Sequence, residues 1–287
     1  MRPLAALLCL FAAGLPFPAP GASRDLAIVA TIPPYAMLAR AVAGEAGKVH
    51  TLVRRGQDPH HYEPGVADMA RLHRARVVVA NGLGRQRVED LLDQVPSPAR
   101  IFRVAEEVGF APIRDERGAV NGHIWLDPDI MSAAAGALAR RLGGIRPAAR
   151  ERFAANARDF VRAVAAADGD CRTWLADLPT RKVVTFHPAF DYFFRHYRLT
   201  VAGTYLDLAG GEPSPREVQG LIETLRAEGI PAVFREPQLP EGPVRALAAE
   251  AGARVGVLDP LGFAESITDY PALLRLNAQR IRDAYRP

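Results

Sequence analysis

Cysteine is scarce in this sequence, since only Cys9 and Cys171 occur among its 287 residues. Cys9 lies inside an N-terminal apolar run, so a mature chain without that run would keep one cysteine and could form no internal disulfide. Clusters of basic residues are lacking as well, because the net charge of +4 is small and the arginines are scattered without interleaved aromatic residues. This pattern argues against nucleic acid as a partner.

The N-terminal apolar run is too short to be a membrane span. It follows Arg2 and covers residues 4–15, whereas about 20 apolar residues are needed to cross a bilayer. Prolines and small residues follow it up to Ser23. This order predicts a secretory signal peptide over residues 1–23 and a periplasmic mature protein. The alternative, a buried N-terminal helix, lacks the amphipathic period that such a helix would show.

The rest of the chain has the composition of a folded globular protein, with 49% apolar and 24% charged residues. Short strand-like runs at 26–31, 49–53, 76–80, 182–185 and 232–235 alternate with helical patterns, which predicts βα units and mainly parallel sheets. Between Phe153 and Leu178, apolar residues recur at spacings of three and four, which predicts one unusually long helix.

The predicted fold class is therefore α/β, with two lobes that each contain a mainly parallel sheet flanked by helices. The predicted segments are a signal peptide at 1–23, an N-terminal lobe at 24–145, a rigid linking helix at 146–178 and a C-terminal lobe at 179–287. The alternative is a long helix packed inside one larger domain.

Four polar residues are candidate ligands. His60 lies in a loop just after a predicted strand, His123 lies in a loop before a predicted helix, and His187 and Asp259 each end a predicted strand. In open parallel sheets, ligands bind at the carboxyl ends of the strands. Neutral imidazole and carboxylate suit a metal ion such as zinc. Each residue alone could equally be a hydrogen-bonded polar side chain or, for Asp259 before proline, the start of a turn. The residues by themselves indicate a two-lobed binding protein with a candidate His/Asp site.

Four motifs resemble those of the metal-binding substrate-binding proteins of ABC importers, the zinc and manganese receptors with a long backbone helix. The motifs are DPHHYEP (58–64), NGHIWLDP (121–128), FHPAFDYF (186–193) and LDPLG (258–262). The resemblance covers about residues 26–285, and SPREVQGLIETL and FREPQ extend it as structural signatures. It implies that His60, His123, His187 and Asp259 are the ligands of one metal ion.

The resemblance also implies a function: capture of a divalent transition metal and its delivery to the membrane permease of an ABC importer, by a monomeric protein that is not an enzyme. A third His in place of Glu favours Zn²⁺ over Mn²⁺, which stays the alternative. His61 is the rival of His60. Glu63 is a candidate for orienting a ligand or for starting a helix, and Glu236 is interpreted as structural. The remaining histidines, His50, His73 and His196, match no motif and are interpreted as surface or capping residues.

Two features depart from the family pattern. The segment RDERGAVNG before His123 is short and has no His, whereas zinc receptors often carry a His-rich acidic loop there. Pro188 stands where the family often has Asp. Two other functions remain open: a secreted metallohydrolase, which would need an open metal position and a general base, and an adhesin or a receptor for an organic ligand or metal chelate, which an aromatic-lined cleft would favour.

Overall fold

The computed structural model describes residues 25–83, 87–208 and 210–286. The predicted signal peptide at 1–23 lies outside the described residues. Within those three ranges, no helix combines the length and the apolar character needed to cross a membrane.

Two four-stranded sheets, one from each half of the chain, organise the protein. The first has the strand order β2-β1-β3-β4 and the second the order β6-β5-β7-β8. Every pairing between these strands is parallel. The strands are β1 (Leu26–Ala30), β2 (Gly47–Thr51), β3 (Val77–Ala80), β4 (Ile101–Arg103), β5 (Lys182–Thr185), β6 (Thr200–Thr204), β7 (Ala232–Arg235) and β8 (Arg254–Val257).

The central strands are buried on both faces, as expected of parallel sheets covered by helices. In β3 all four residues are buried, and Val183 and Val184 at the centre of β5 have no exposed surface. The helices are α1 (Pro33–Ala43), α2 (Val66–Arg74), α3 (Arg87–Asp90), α4 (Val104–Glu107), α5 (Pro128–Ile145), α6 (Arg150–Ala176), α7 (Asp191–His196), α8 (Pro215–Ala227), α9 (Gly242–Ala251) and α10 (Tyr270–Tyr285).

Helix starts follow local capping chemistry. The Asp127 carboxylate accepts the first free N–H groups of α5, and Asp269 does the same for α10. Ser214 and Glu217 form a reciprocal capping box at the start of α8. Proline at the first turn of each of these helices needs no N–H partner there.

The long helix predicted at 146–178 is α6, which has 27 residues and is therefore about 40 Å long. A single 3-10 turn, Pro147–Ala149, precedes it. Its buried face includes Phe153, Phe160 and Cys171, and it packs against α1 and α5 from the first half and α10 from the second. The predicted two-lobed α/β fold with a long helix is confirmed. The exact lobe boundaries stay a prediction.

Candidate metal centre

His60, His123 and His187 converge in the structure. Their ring centroids are 5.6 Å apart for His60 and His123, 5.5 Å for His60 and His187, and 4.9 Å for His123 and His187. One ligand nitrogen from each ring lies within 4.8 Å of the other two. Imidazole nitrogens bound tetrahedrally to zinc at ~2.0–2.1 Å are about 3.3 Å apart. The three rings therefore need at most a small inward movement to bind one ion.

Each ring comes from a loop at the end of a strand or before a helix. His60 belongs to the 3-10 turn Pro59–His61 that follows β2, and His123 precedes the turn Ile124–Leu126 that leads into α5. His187 follows β5 in the other lobe. The two lobes thus supply the three rings jointly, as the topology of parallel sheets predicts.

Burial favours the neutral form of the deepest ring. His123 is 4% exposed and His187 7% exposed, whereas His60 is half-buried. Burial and the neighbouring charges of His187 and His60 lower the pKa of His123 well below its usual range. A neutral imidazole keeps the lone pair that a metal ion requires.

His61, the rival of His60, points away from the cluster. Its Nδ1 lies 2.7 Å from the Asp58 carboxylate, and its side chain is 83% exposed. The other carboxylate oxygen of Asp58 accepts the backbone N–H of His60 at 2.9 Å. Asp58 therefore holds the turn so that His60 faces the other two rings while His61 faces solvent.

Glu236 orients His187, a role that the sequence did not reveal. Its Oε1 lies 3.1 Å from His187 Nδ1, and its Oε2 accepts a hydrogen bond from Gln238 at 2.7 Å. Burial by itself would lower the pKa of His187, but the charge and hydrogen bond of Glu236, together with the charges of Asp58 and Asp191, bring the pKa above its usual value. The interpretation of Glu236 as purely structural was incomplete. Its position just after β7, the neighbour of β5, could have indicated this role, because His187 follows β5.

Asp259 lies fully buried just after β8. Its Oδ1 accepts the N–H groups of Leu261 and Gly262, and its Oδ2 accepts that of Ala264. It is not among the side chains whose ligand atoms all lie within 4.8 Å of one another. A carboxylate offers about four lone-pair sites, so Oδ2 keeps one for a metal ion. Its role as the fourth ligand stays a prediction.

His196 lies in a second group of potential ligands, with Asp127 and Asp129. Its Nε2 contacts Asp168 at 2.8 Å and Arg172 at 2.7 Å, and Asp127 already caps α5. The sequence left a surface role and a capping role open for His196, and its side chain is only 5% exposed, which excludes the surface role. Its ring instead ties α7 to α6 and to the start of α5.

Known proteins of one family resemble this chain along nearly its whole length. Residues 28–284 match the family described as zinc-uptake complex component A, periplasmic. The chain belongs to this family. It is a metal-binding substrate-binding protein of the ABC-importer type, as the sequence motifs implied.

Relatives of this zinc-uptake family member differ in the metal that they are named for. The chain is 27% identical to the high-affinity zinc uptake system protein ZnuA of Yersinia pestis, over 82% of this chain and 83% of the relative. It is also 27% identical to the manganese-binding lipoprotein MntA of Bacillus subtilis, over 80% and 77% of the two chains. A crystal structure of ZnuA superposes with a TM-score of 0.81 at 31% identity, covering 90% of this chain and 98% of the other.

Proposed function

We propose that this protein captures Zn²⁺ in the periplasm with His60, His123, His187 and Asp259 and delivers it, as a monomer, to the membrane permease of an ABC importer. The observation that carries the proposal is the convergence of three imidazoles from both lobes within 4.8 Å. Such a site holds cargo between lobes, where a permease that moves one lobe can release it.

The donor set supports zinc as the cargo. Three neutral nitrogen ligands and one carboxylate oxygen suit Zn²⁺, whereas Mn²⁺ prefers a larger share of oxygen ligands. Intrinsic affinity at such sites also rises from Mn²⁺ to Zn²⁺. Manganese is the competing cargo, since the relative MntA of Bacillus subtilis is named for it.

The same residues support binding rather than catalysis. Four protein ligands would fill a tetrahedral zinc shell and leave no position for a reacting water. A hydrolase would also need a carboxylate that can act as a general base towards water. Glu236, the glutamate that contacts His187, already accepts a hydrogen bond from Gln238 as well. This arrangement argues against the secreted metallohydrolase.

The depth of the three rings suggests an order of events. His123 and His187 are buried, and half-buried His60 lies in the outer turn. An arriving ion would meet His60 first and then the two inner rings. The long α6 packs against helices of both halves, so small lobe movements are expected rather than wide opening.

Metal titration of the metal-free protein tests the proposal. We expect one equivalent of Zn²⁺ to bind, and to bind more tightly than Mn²⁺ when the two compete. At a free zinc concentration of 100 times Kd, thermal unfolding should show a stabilisation of about 2.7 kcal/mol. Analytical ultracentrifugation should show a monomer with and without zinc. Absence of stoichiometric binding would contradict metal capture. Tighter binding of Mn²⁺ would contradict zinc as the cargo but leave metal capture standing.

Glu236→Gln is expected to weaken zinc binding about 10- to 100-fold, the usual effect of losing an outer partner of a metal-bound His. It should also change the pH profile. The proton on His187 competes with zinc, so affinity is full above the His187 pKa and falls roughly tenfold per unit below it. Glu236 raises that pKa, so the fall should begin at a lower pH in the variant.

Competition with a zinc chelator of known affinity between pH 5 and 8 measures both effects. Glu223→Gln is the matched control, because Glu223 is an exposed residue of the same type on α8, in the same half of the chain as Glu236. An unchanged pH profile in Glu236→Gln would show that Glu236 does not act through His187.

A further inference from the structure

Asn121 is a fully buried residue two positions before His123, and its side chain reaches across to the other lobe. Its Nδ2 donates to the Pro188 carbonyl at 2.6 Å and to the Asp191 carboxylate at 3.0 Å. Its Oδ1 lies 2.7 Å from His123 Nδ1 and accepts the His123 backbone N–H at 3.0 Å. One carboxamide thus connects two C-lobe groups to the ring of an N-lobe histidine.

The chemistry of these partners fixes the orientation of the carboxamide. The Pro188 carbonyl and an ionised Asp191 carboxylate can only accept hydrogen bonds, so the NH₂ group must face them. The carbonyl oxygen must then face His123, and this oxygen also can only accept. His123 therefore carries its proton on Nδ1, which leaves Nε2 with a free lone pair.

We propose that Asn121 is a positioning residue that sets the tautomer of His123 from across the lobe interface. This inference rests on the proposed role of His123 as a metal ligand. The consequence is a link between lobe contact and ligand quality. If the lobes separate, Asn121 loses Pro188 and Asp191, its carboxamide is free to rotate, and His123 is no longer held with Nε2 ready to bind. Lobe separation would thus weaken the metal site chemically as well as stretch it.

Two neighbouring hydrogen bonds between the lobes provide a control, because they contribute to lobe contact without involving the Asn121 carboxamide. The Tyr192 hydroxyl donates to the Asn121 backbone carbonyl at 2.9 Å and accepts the Ile113 N–H at 3.1 Å. Tyr192→Phe removes these bonds between the lobes but leaves the Asn121 carboxamide and its partners in place. A variant that only loosens the interface is therefore available beside one that changes the tautomer.

The decisive measurement is the ¹⁵N chemical shifts of the His123 ring in the metal-free protein at pH 7.5, assigned by their loss in His123→Gln. Wild type and Tyr192→Phe should show protonated Nδ1 and unprotonated Nε2. Asn121→Ala should show a mixture of tautomers or the opposite one. Zinc affinity should fall about 10- to 100-fold in Asn121→Ala and change much less in Tyr192→Phe.

A second pair of variants works from the other lobe and keeps the test usable if Asn121→Ala fails to fold. Asp191→Asn retains a carbonyl acceptor for the Asn121 NH₂ group and should preserve the tautomer. Asp191→Leu has a similar size but leaves only the Pro188 carbonyl to hold the carboxamide, so it should weaken the preference for that tautomer. Wild-type tautomer in both Asn121→Ala and Asp191→Leu would overturn the proposal. So would a loss of zinc affinity in Tyr192→Phe equal to that in Asn121→Ala. If the tautomer responds as expected but wild type binds no zinc, the positioning role stands and the proposed cargo fails.

Discussion

Replacement of His123 by alanine should lower zinc affinity by more than about 100-fold, because loss of an outer-shell partner alone typically costs 10- to 100-fold. His123 is the most buried of the three rings and lies 4.9 Å from the His187 ring centroid. Its low pKa keeps it neutral and available as a ligand. Alanine supplies no metal ligand. A water molecule in the space left by the ring would be a weaker ligand than the imidazole nitrogen.

The change is best measured by chelator competition and by the zinc-induced shift in thermal unfolding, which should disappear in His123→Ala. His61→Ala is the matched control, because His61 adjoins a proposed ligand in sequence yet is exposed and paired with Asp58. It should bind zinc as wild type does. Wild-type affinity in His123→Ala, or a comparable loss in His61→Ala, would contradict the proposed ligand set.

Replacement of Trp125 by alanine should destabilise the metal-free protein by about 3–5 kcal/mol, the usual range for a large aromatic residue in a core. Trp125 is 1% exposed, its ring packs against Tyr35 and His123, and its Nε1 donates to the Pro260 carbonyl at 2.8 Å. The last bond joins the His123 loop to the Asp259 loop of the other lobe. The substitution would therefore create a cavity and leave a buried carbonyl unpaired.

Denaturant unfolding measures this loss, and two further variants separate its parts. Trp125→Phe keeps most of the apolar area but loses the bond to Pro260, so we expect a loss of about 1–3 kcal/mol. Trp174, the other tryptophan, is only partly buried and lies under the Arg282 guanidinium. Trp174→Ala should cost on the order of 1 kcal/mol. A loss near zero in Trp125→Phe would show that the bond to the Pro260 carbonyl contributes little to stability.

The secondary structure could be predicted closely where short-range pattern decides it. The predicted strands at 182–185 and 232–235 coincide with β5 and β7, because their runs of buried apolar residues are bounded by polar or turn residues. The predicted bounds of the first strands were less exact. The sequence predicts a strand from Val49, whereas β2 begins at Gly47, because Gly47 pairs with Leu26 of β1.

The candidate site could be predicted only in part. The positions of His60, His123 and His187 at the ends of strands or before a helix follow from the order of elements along the chain. The groups that contact these histidines, directly or through Asn121, do not follow from that order. Glu236 is 49 residues from His187, and the Pro188 carbonyl is 67 residues from Asn121. No periodicity or motif spacing connects residues so far apart.

The sequence alone determined that this protein alternates strands and helices, contains one long helix, and places histidines where parallel strands end, because these properties depend on neighbours within a few residues. Only the tertiary structure decided that the three rings meet, that His60 rather than His61 faces them, and that Glu236 and Asn121 hold their Nδ1 atoms. Those outcomes depend on how two sheets from different halves of the chain pack against α5, α6 and α10, which sets side-chain distances that no local pattern encodes.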